Sequence, residues 1–122
     1  MKADFRRKRL FKNWDEEFLD LYIEHGTVAR DTGELELTCS PEKEASLFMG
    51  GMGYDPWPML PRVSCPVWVL EGEESTNRPF VDLKTATSKF QHCTYQLMTG
   101  AGHLIPMEKP KEVIDFILKH LP

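Results

Sequence analysis

Apolar and polar residues change rhythm along this chain, and each rhythm predicts an element. Trp14, Phe18, Leu21 and Tyr22 recur on one helical face. Asn13 and Glu16 have the spacing of a capping box, so a helix is expected to open there and run to about His25, with Gly26 as its stop. Leu35, Leu37 and Cys39 alternate with Glu34, Glu36 and Thr38, the period of a short half-buried strand. Ser40-Pro41-Glu42 starts another helix, with a hydroxyl cap, a first-turn proline and an acid near the positive end. The cluster Gly50-Gly51-Met52-Gly53 reads as a flexible break. It lacks the Lys-Ser/Thr that follows a phosphate-binding loop.

Pro56, Pro58 and Pro61 then exclude helix and predict an extended connector. They divide the chain into a mainly helical segment, 1–61, and an alternating one, 62–122. In the second, Pro66-Val67-Trp68-Val69-Leu70 is a continuous apolar run, the signature of a strand buried on both faces. Phe80, Leu83, Ala86 and Phe90 predict a helix, and Thr94 through Met98 a second strand. Val113, Ile114, Ile117, Leu118 and Leu121 predict a terminal amphipathic helix with Pro110 in its first turn. The βαβα order implies a parallel pair with right-handed crossovers. Two strands are marginal as a sheet. Val67, Trp68 and Val69 therefore expect neighbouring strands that this sequence does not supply.

Composition narrows the function classes. The 122 residues suffice for one small domain, and a net charge of −4 argues against a generic nucleic-acid or anionic-membrane binder. Lys2, Arg6, Arg7, Lys8 and Arg9 are locally basic, but Asp4 interrupts them, and a solvated face is expected rather than a targeting peptide. No apolar run is long enough to span a membrane, and no secretory signal is visible. Cys39, Cys65 and Cys93 are odd in number and widely spaced, which favours reduced thiols in an intracellular, cytoplasmic protein. Their spacing, and that of the histidines, fits no zinc motif, so neither metal nor organic cofactor is expected.

The stretch Gly100-Ala101-Gly102-His103-Leu104-Ile105-Pro106-Met107-Glu108-Lys109-Pro110 places a histidine on a glycine-flanked loop between a predicted strand and helix. It resembles the catalytic-histidine loop of the α/β-hydrolase family. Residues 66–121 resemble the last two strands and helices of that fold, and residues 1–60, Trp14 through Phe48 above all, resemble part of its helical cap. The resemblance implies an incomplete α/β fold, the C-terminal portion of an eight-stranded, mostly parallel sheet. It implies serine-dependent hydrolysis of an ester, thioester or related acyl bond in the whole enzyme. His103 would be the general acid/base. His25, His92 and His120 are expected to be structural or solvated.

Two parts of the implied triad depart from the pattern. Relatives often read Gly-x-x-Asp after the penultimate strand, with the aspartate orienting the histidine. Here Gly72 is followed by Glu73, Glu74 and Ser75, so a serine holds that position. The acid is then either Glu74 or a residue after an earlier strand, before the cap. Glu71 and Glu73 read as polar residues at the strand's end. The nucleophile is missing, because Ser40, Ser46, Ser64, Ser75 and Ser88 all lack a Gly-x-Ser-x-Gly turn. Met49, Met52, Trp57 and Met59 are candidates to line an acyl pocket. The chain by itself is expected to be inactive, needing an N-terminal half or a partner chain to complete its sheet. The alternative is a short interaction protein, or a truncated gene product, with no catalytic role.

Overall fold

Charged side chains and a cluster of rings organise the first two helices. In the computed structural model, which describes residues 1–121, helix α1 (Lys2–Arg7) leads through a 3-10 turn at Arg9–Phe11 to helix α2 (Glu16–Gly26). Of the basic cluster, Arg7, Lys8 and Arg9 are exposed as expected, whereas Lys2 and Arg6 form a clamp. Lys2 Nζ lies 2.8 Å from Glu16 and 2.6 Å from Asp20, while Arg6 donates to the carbonyls of Phe11 and Trp14 at 2.9 and 2.6 Å. Beside it Phe5, Phe11, Trp14 and Tyr22 cluster with centroids 4.8 to 5.9 Å apart, edge to face except for the tilted Phe11–Tyr22 pair. Leu19 is fully buried. The helix cap differs from the expected box: Asp15, not Asn13, accepts from the amides of Glu17 and Phe18. A carboxylate meets the positive helix end more strongly than an amide does.

Strands β1 (Thr27–Ala29) and β2 (Leu35–Leu37) form an antiparallel hairpin turned at Gly33, whose φ is +80°. Leu35 and Leu37 are exposed, where alternation predicted a half-buried strand. Ser40 caps helix α3 (Pro41–Met52) as expected, its hydroxyl accepting from the Lys43 amide. The helix continues through Gly50 and Gly51 to a cap at Gly53, so the glycine cluster is not a break. These elements make one compact unit, Met1–Asp55; the second is Pro56–Pro122.

The second unit opens with a 3-10 helix at Trp57–Arg62 where an extended connector was expected. Proline's fixed φ suits a 3-10 turn, and its missing N–H is harmless at a helix start. Strand β3 (Val67–Gly72) then pairs in parallel with β4 (Cys93–Met98), in a register from Val67↔Cys93 to Gly72↔Met98. Between them helix α4 is only Leu83–Thr87. Asp82 sets its start by accepting from the Thr85 hydroxyl and amide at 2.6 and 2.9 Å, which also holds this carboxyl below its usual range. Phe80 precedes the helix and is exposed. After β4 come a single turn, α5 (Ile105–Glu108), and helix α6 (Pro110–His120).

Helix α6 lays Phe116 and His120 against Trp68, with centroids 5.7 and 3.8 Å away. Of the apolar stripe that marks this amphipathic helix, Val113 is half-buried and Ile114, Ile117, Leu118 and Leu121 are exposed. Among the described residues no helix is long and apolar enough to cross a membrane.

Among the described residues, Leu19 is the one large side chain in the first unit that is wholly shielded from water. Leu19→Ala is expected to destabilise this unit by about 3 kcal/mol. Leu47→Ala, at an exposed position, should change stability by less than about 0.5 kcal/mol. Urea unfolding followed by the near-ultraviolet dichroism of the ring cluster measures both.

Candidate functional site

The end of β3 and the loop after β4 touch backbone to backbone. A Cβ on Gly72 would stand 1.9 Å from the Gly102 carbonyl oxygen and 2.5 Å from that of Ala101, so only glycine permits the approach. Gly100 turns the chain out of β4 with φ of +66°. The Glu73 amide donates to Met98 and the Glu74 amide to Ala101, at 3.0 and 2.9 Å, extending the ladder beyond both strands. Ala101 is fully buried beneath the contact, and Ile105 nearly so. From α5 the Glu108 carboxylate reaches back and accepts from the amides of Gly102 and Leu104, at 2.6 and 3.3 Å. His103 lies between those two amides. Its backbone is therefore fixed on both sides while its ring stays exposed.

Two neighbours hold the ring. Ser75 Oγ lies 3.3 Å from His103 Nδ1, and Asn77 Nδ2 lies 2.9 Å from Nε2. Ser75 is buried and sits in a turn whose amide donates to Gly72, and its hydroxyl oxygen also accepts from the Asn77 amide at 3.3 Å. Leu70, Glu71, Ser75, Asn77, His103 and Ile105 border a cavity of about 150 Å³. A larger, open cavity of about 560 Å³ adjoins Glu71, Arg78, Asp82 and Tyr95. Glu71 is only 6% exposed; it accepts from the Tyr95 hydroxyl and lies 3.6 Å from Arg78 Nε. Burial, and then the Glu71 carboxylate, push the Tyr95 phenol above its ordinary pKa.

No family model and no curated protein matches this sequence. Solved structures do match its shape. It is similar to E-2-(acetamidomethylene)succinate hydrolase over 97% of this chain, with a TM-score of 0.79 and 19% identity. It is also similar to the peroxisomal α/β-hydrolase Lpx1 of Saccharomyces cerevisiae over 98% of this chain, with a TM-score of 0.83 and 18% identity. The chain carries part of an α/β-hydrolase fold. It spans 42% of the length of the first structure and 32% of the second.

Within this partial hydrolase fold, His103 occupies a loop at the carboxyl ends of two parallel strands, where ligands meet open α/β sheets. The ring contact at the Gly-x-x-Asp position comes from Ser75. Glu74 is exposed; its amide serves the loop, and its carboxylate makes no hydrogen bond to His103 among the described residues. Glu71 and Glu73 do stand at the strand's end; Glu73 is exposed, while Glu71 is a buried partner of Tyr95 and Arg78. The other serines do different work. Ser40 caps α3, Ser46 bonds the Glu42 carbonyl and Ser88 the Thr85 carbonyl. His120 donates Nδ1–H to Phe116, which fixes it as a packing residue. Cys39, Cys65 and Cys93 are free thiols, and among the described residues no group of metal-ligating side chains converges. Of the pocket candidates, Met49, Trp57 and Met59 are exposed, and the Met52 side chain lies outside the described residues.

Sequence reasoning missed Asn77 and Glu108. Glu108 had a legible signal, since an acid one short turn beyond a glycine-flanked loop can accept from the loop's amides. Asn77 had none.

Glu108→Ala should leave α6 intact but speed hydrogen exchange at the Gly102 and Leu104 amides by tenfold or more, corresponding to roughly 1.5 kcal/mol or more from bonds to a charged acceptor. Gly72→Ala should cost about 3 kcal/mol, because its methyl meets backbone rather than a movable side chain. Amide exchange read residue by residue checks the first, and thermal unfolding the second.

Proposed function

We propose that this chain is the cap segment and histidine-bearing end of a serine-dependent acyl hydrolase. One observation carries the reading: His103 is presented at the carboxyl edge of a parallel pair, its backbone clamped by Glu108 and its Nδ1 engaged by Ser75. In such a reaction the nucleophilic serine hydroxyl gives its proton to Nε2 as its oxygen bonds to the acyl carbon. The imidazolium returns that proton to the departing alkoxide or thiolate. Water then repeats the cycle on the acyl-enzyme and releases the acid. Ser75 does not fit the nucleophile's part. It contacts Nδ1, the orienting side of the ring, and the nucleophile must approach Nε2.

His103 therefore takes its nucleophile and oxyanion-stabilising amides from outside this segment. A small acyl compound is the substrate class, and no cofactor enters the chemistry. The exposed faces support the same reading. Ile117 and Leu118 of α6 are 50% and 64% exposed, and Trp68 of β3 is 40% exposed. Further strands and helices would cover them, either from the same polypeptide or from a partner chain. The partner-chain version makes this an association module, and it rests on those apolar faces alone.

The purified 122-residue chain should show no His103-dependent turnover of p-nitrophenyl esters. Turnover that vanishes in His103→Ala would show that the segment supplies its own nucleophile and overturn this reading. The complementary measurement is labelling of the longest in-frame translation product by a fluorophosphonate probe. A labelled serine on a Gly-x-Ser-x-Gly turn, with hydrolysis lost in His103→Ala, is the expected result. An unlabelled product purifying with a stoichiometric partner would favour the association module.

A further inference from the structure

We infer that Ser75 is a positioning residue, a neutral oxygen that selects the catalytic tautomer of His103 where a carboxylate would otherwise stand. The inference rests on the acyl-hydrolase reading for its purpose, but not for its geometry. An imidazole working as a general base needs Nδ1 protonated and Nε2 free to accept. Both contacts to the ring specify that form. The Asn77 side-chain nitrogen carries only donors, so at 2.9 Å it makes Nε2 the acceptor. Nδ1 then carries the proton and donates it to Ser75 Oγ at 3.3 Å.

The Ser75 oxygen receives a second donor, the Asn77 amide at 3.3 Å. Two donors fill both lone pairs of the hydroxyl, which acts toward the ring as one oxygen of a carboxylate does. Its placement is fixed by the fold. The Ser75 amide donates to Gly72 at 3.0 Å, and the side chain is 8% exposed. The ring is thus held by a turn that starts at the same glycine on which the histidine loop rests.

Asn77 has a second consequence. Its amide occupies Nε2, the atom that the nucleophile's proton must reach. It holds the acceptor form in place and must give way when a serine hydroxyl takes its position.

The test is the tautomer itself, read in the full chain by nitrogen-15 spectroscopy of the imidazoles at a pH where they are neutral. Protonated and unprotonated ring nitrogens give widely separated signals, and His103→Gln assigns the resonance among the four histidines. The wild-type chain should show His103 as the Nδ1–H form. Ser75→Ala should shift the tautomer ratio roughly fivefold toward Nε2–H, the worth of one hydrogen bond. An Nε2–H ring in the wild type overturns the inference, and so does an Nδ1–H ring that Ser75→Ala leaves unchanged. Should Ser75→Ala fail to fold, Ser75→Cys replaces the oxygen with a weaker acceptor of similar shape and is read in the same way. No catalysis is measured, so failure here leaves the acyl-hydrolase reading standing. An absent nucleophile elsewhere leaves the tautomer result standing.

Discussion

The site depends on the contact between Gly72 and the carbonyls of Ala101 and Gly102. Any side chain at position 72 would drive into those oxygens. Because the two backbones lie so close, the turn carrying Ser75 and the loop carrying His103 share one support. The ring contacts are then consequences of backbone geometry rather than of two flexible side chains finding each other. Ordering a residue costs about 1–2 kcal/mol of backbone entropy, comparable to the gain from the hydrogen bond it makes. Paying that cost in a buried glycine contact leaves the site itself preorganised.

Glu108 completes the support from the opposite side. Its carboxylate accepts from the amides that flank His103, so the loop cannot peel away from α5 without leaving a charge or two donors unpaired. Gly102 serves this clamp rather than the turn. A Cβ there would meet the Glu108 oxygens at 2.7 and 2.9 Å, while the positive φ belongs to Gly100. Two glycines two residues apart thus answer to different constraints, one conformational and one steric.

The parallel pair, the terminal helix and the histidine loop were legible because each rests on a local pattern. A doubly apolar strand at Val67–Leu70, a proline-started helix at Pro110 and glycines around Ala101 all announce themselves within a few residues. What was not legible depends on partners far along the chain. The ring contacts of His103 reach back 28 residues to Ser75 and 26 to Asn77. Glu71 reads as polar in sequence, yet the β3–β4 register sets it two positions beyond the Val69↔Tyr95 pair, on Tyr95's side of the sheet. Two helix starts differ from the pattern: Asp15 rather than Asn13 caps α2, where a carboxylate adds charge to the hydrogen bond, and α4 starts after Asp82, beyond Phe80.

A serine at the orienting position also suits its surroundings. The small cavity beside His103 is bordered by Glu71 as well as by Ser75. Glu71 is already a buried carboxylate, committed to the Tyr95 hydroxyl with Arg78 alongside. An aspartate at position 75 would add a second negative charge to the same small volume, and like charges in a poorly solvated site disfavour joint ionisation. A hydroxyl avoids that conflict, since it accepts from Nδ1–H without bringing charge. Given Glu71 where it is, a neutral oxygen can specify the histidine's tautomer at smaller electrostatic cost than the carboxylate it stands in for.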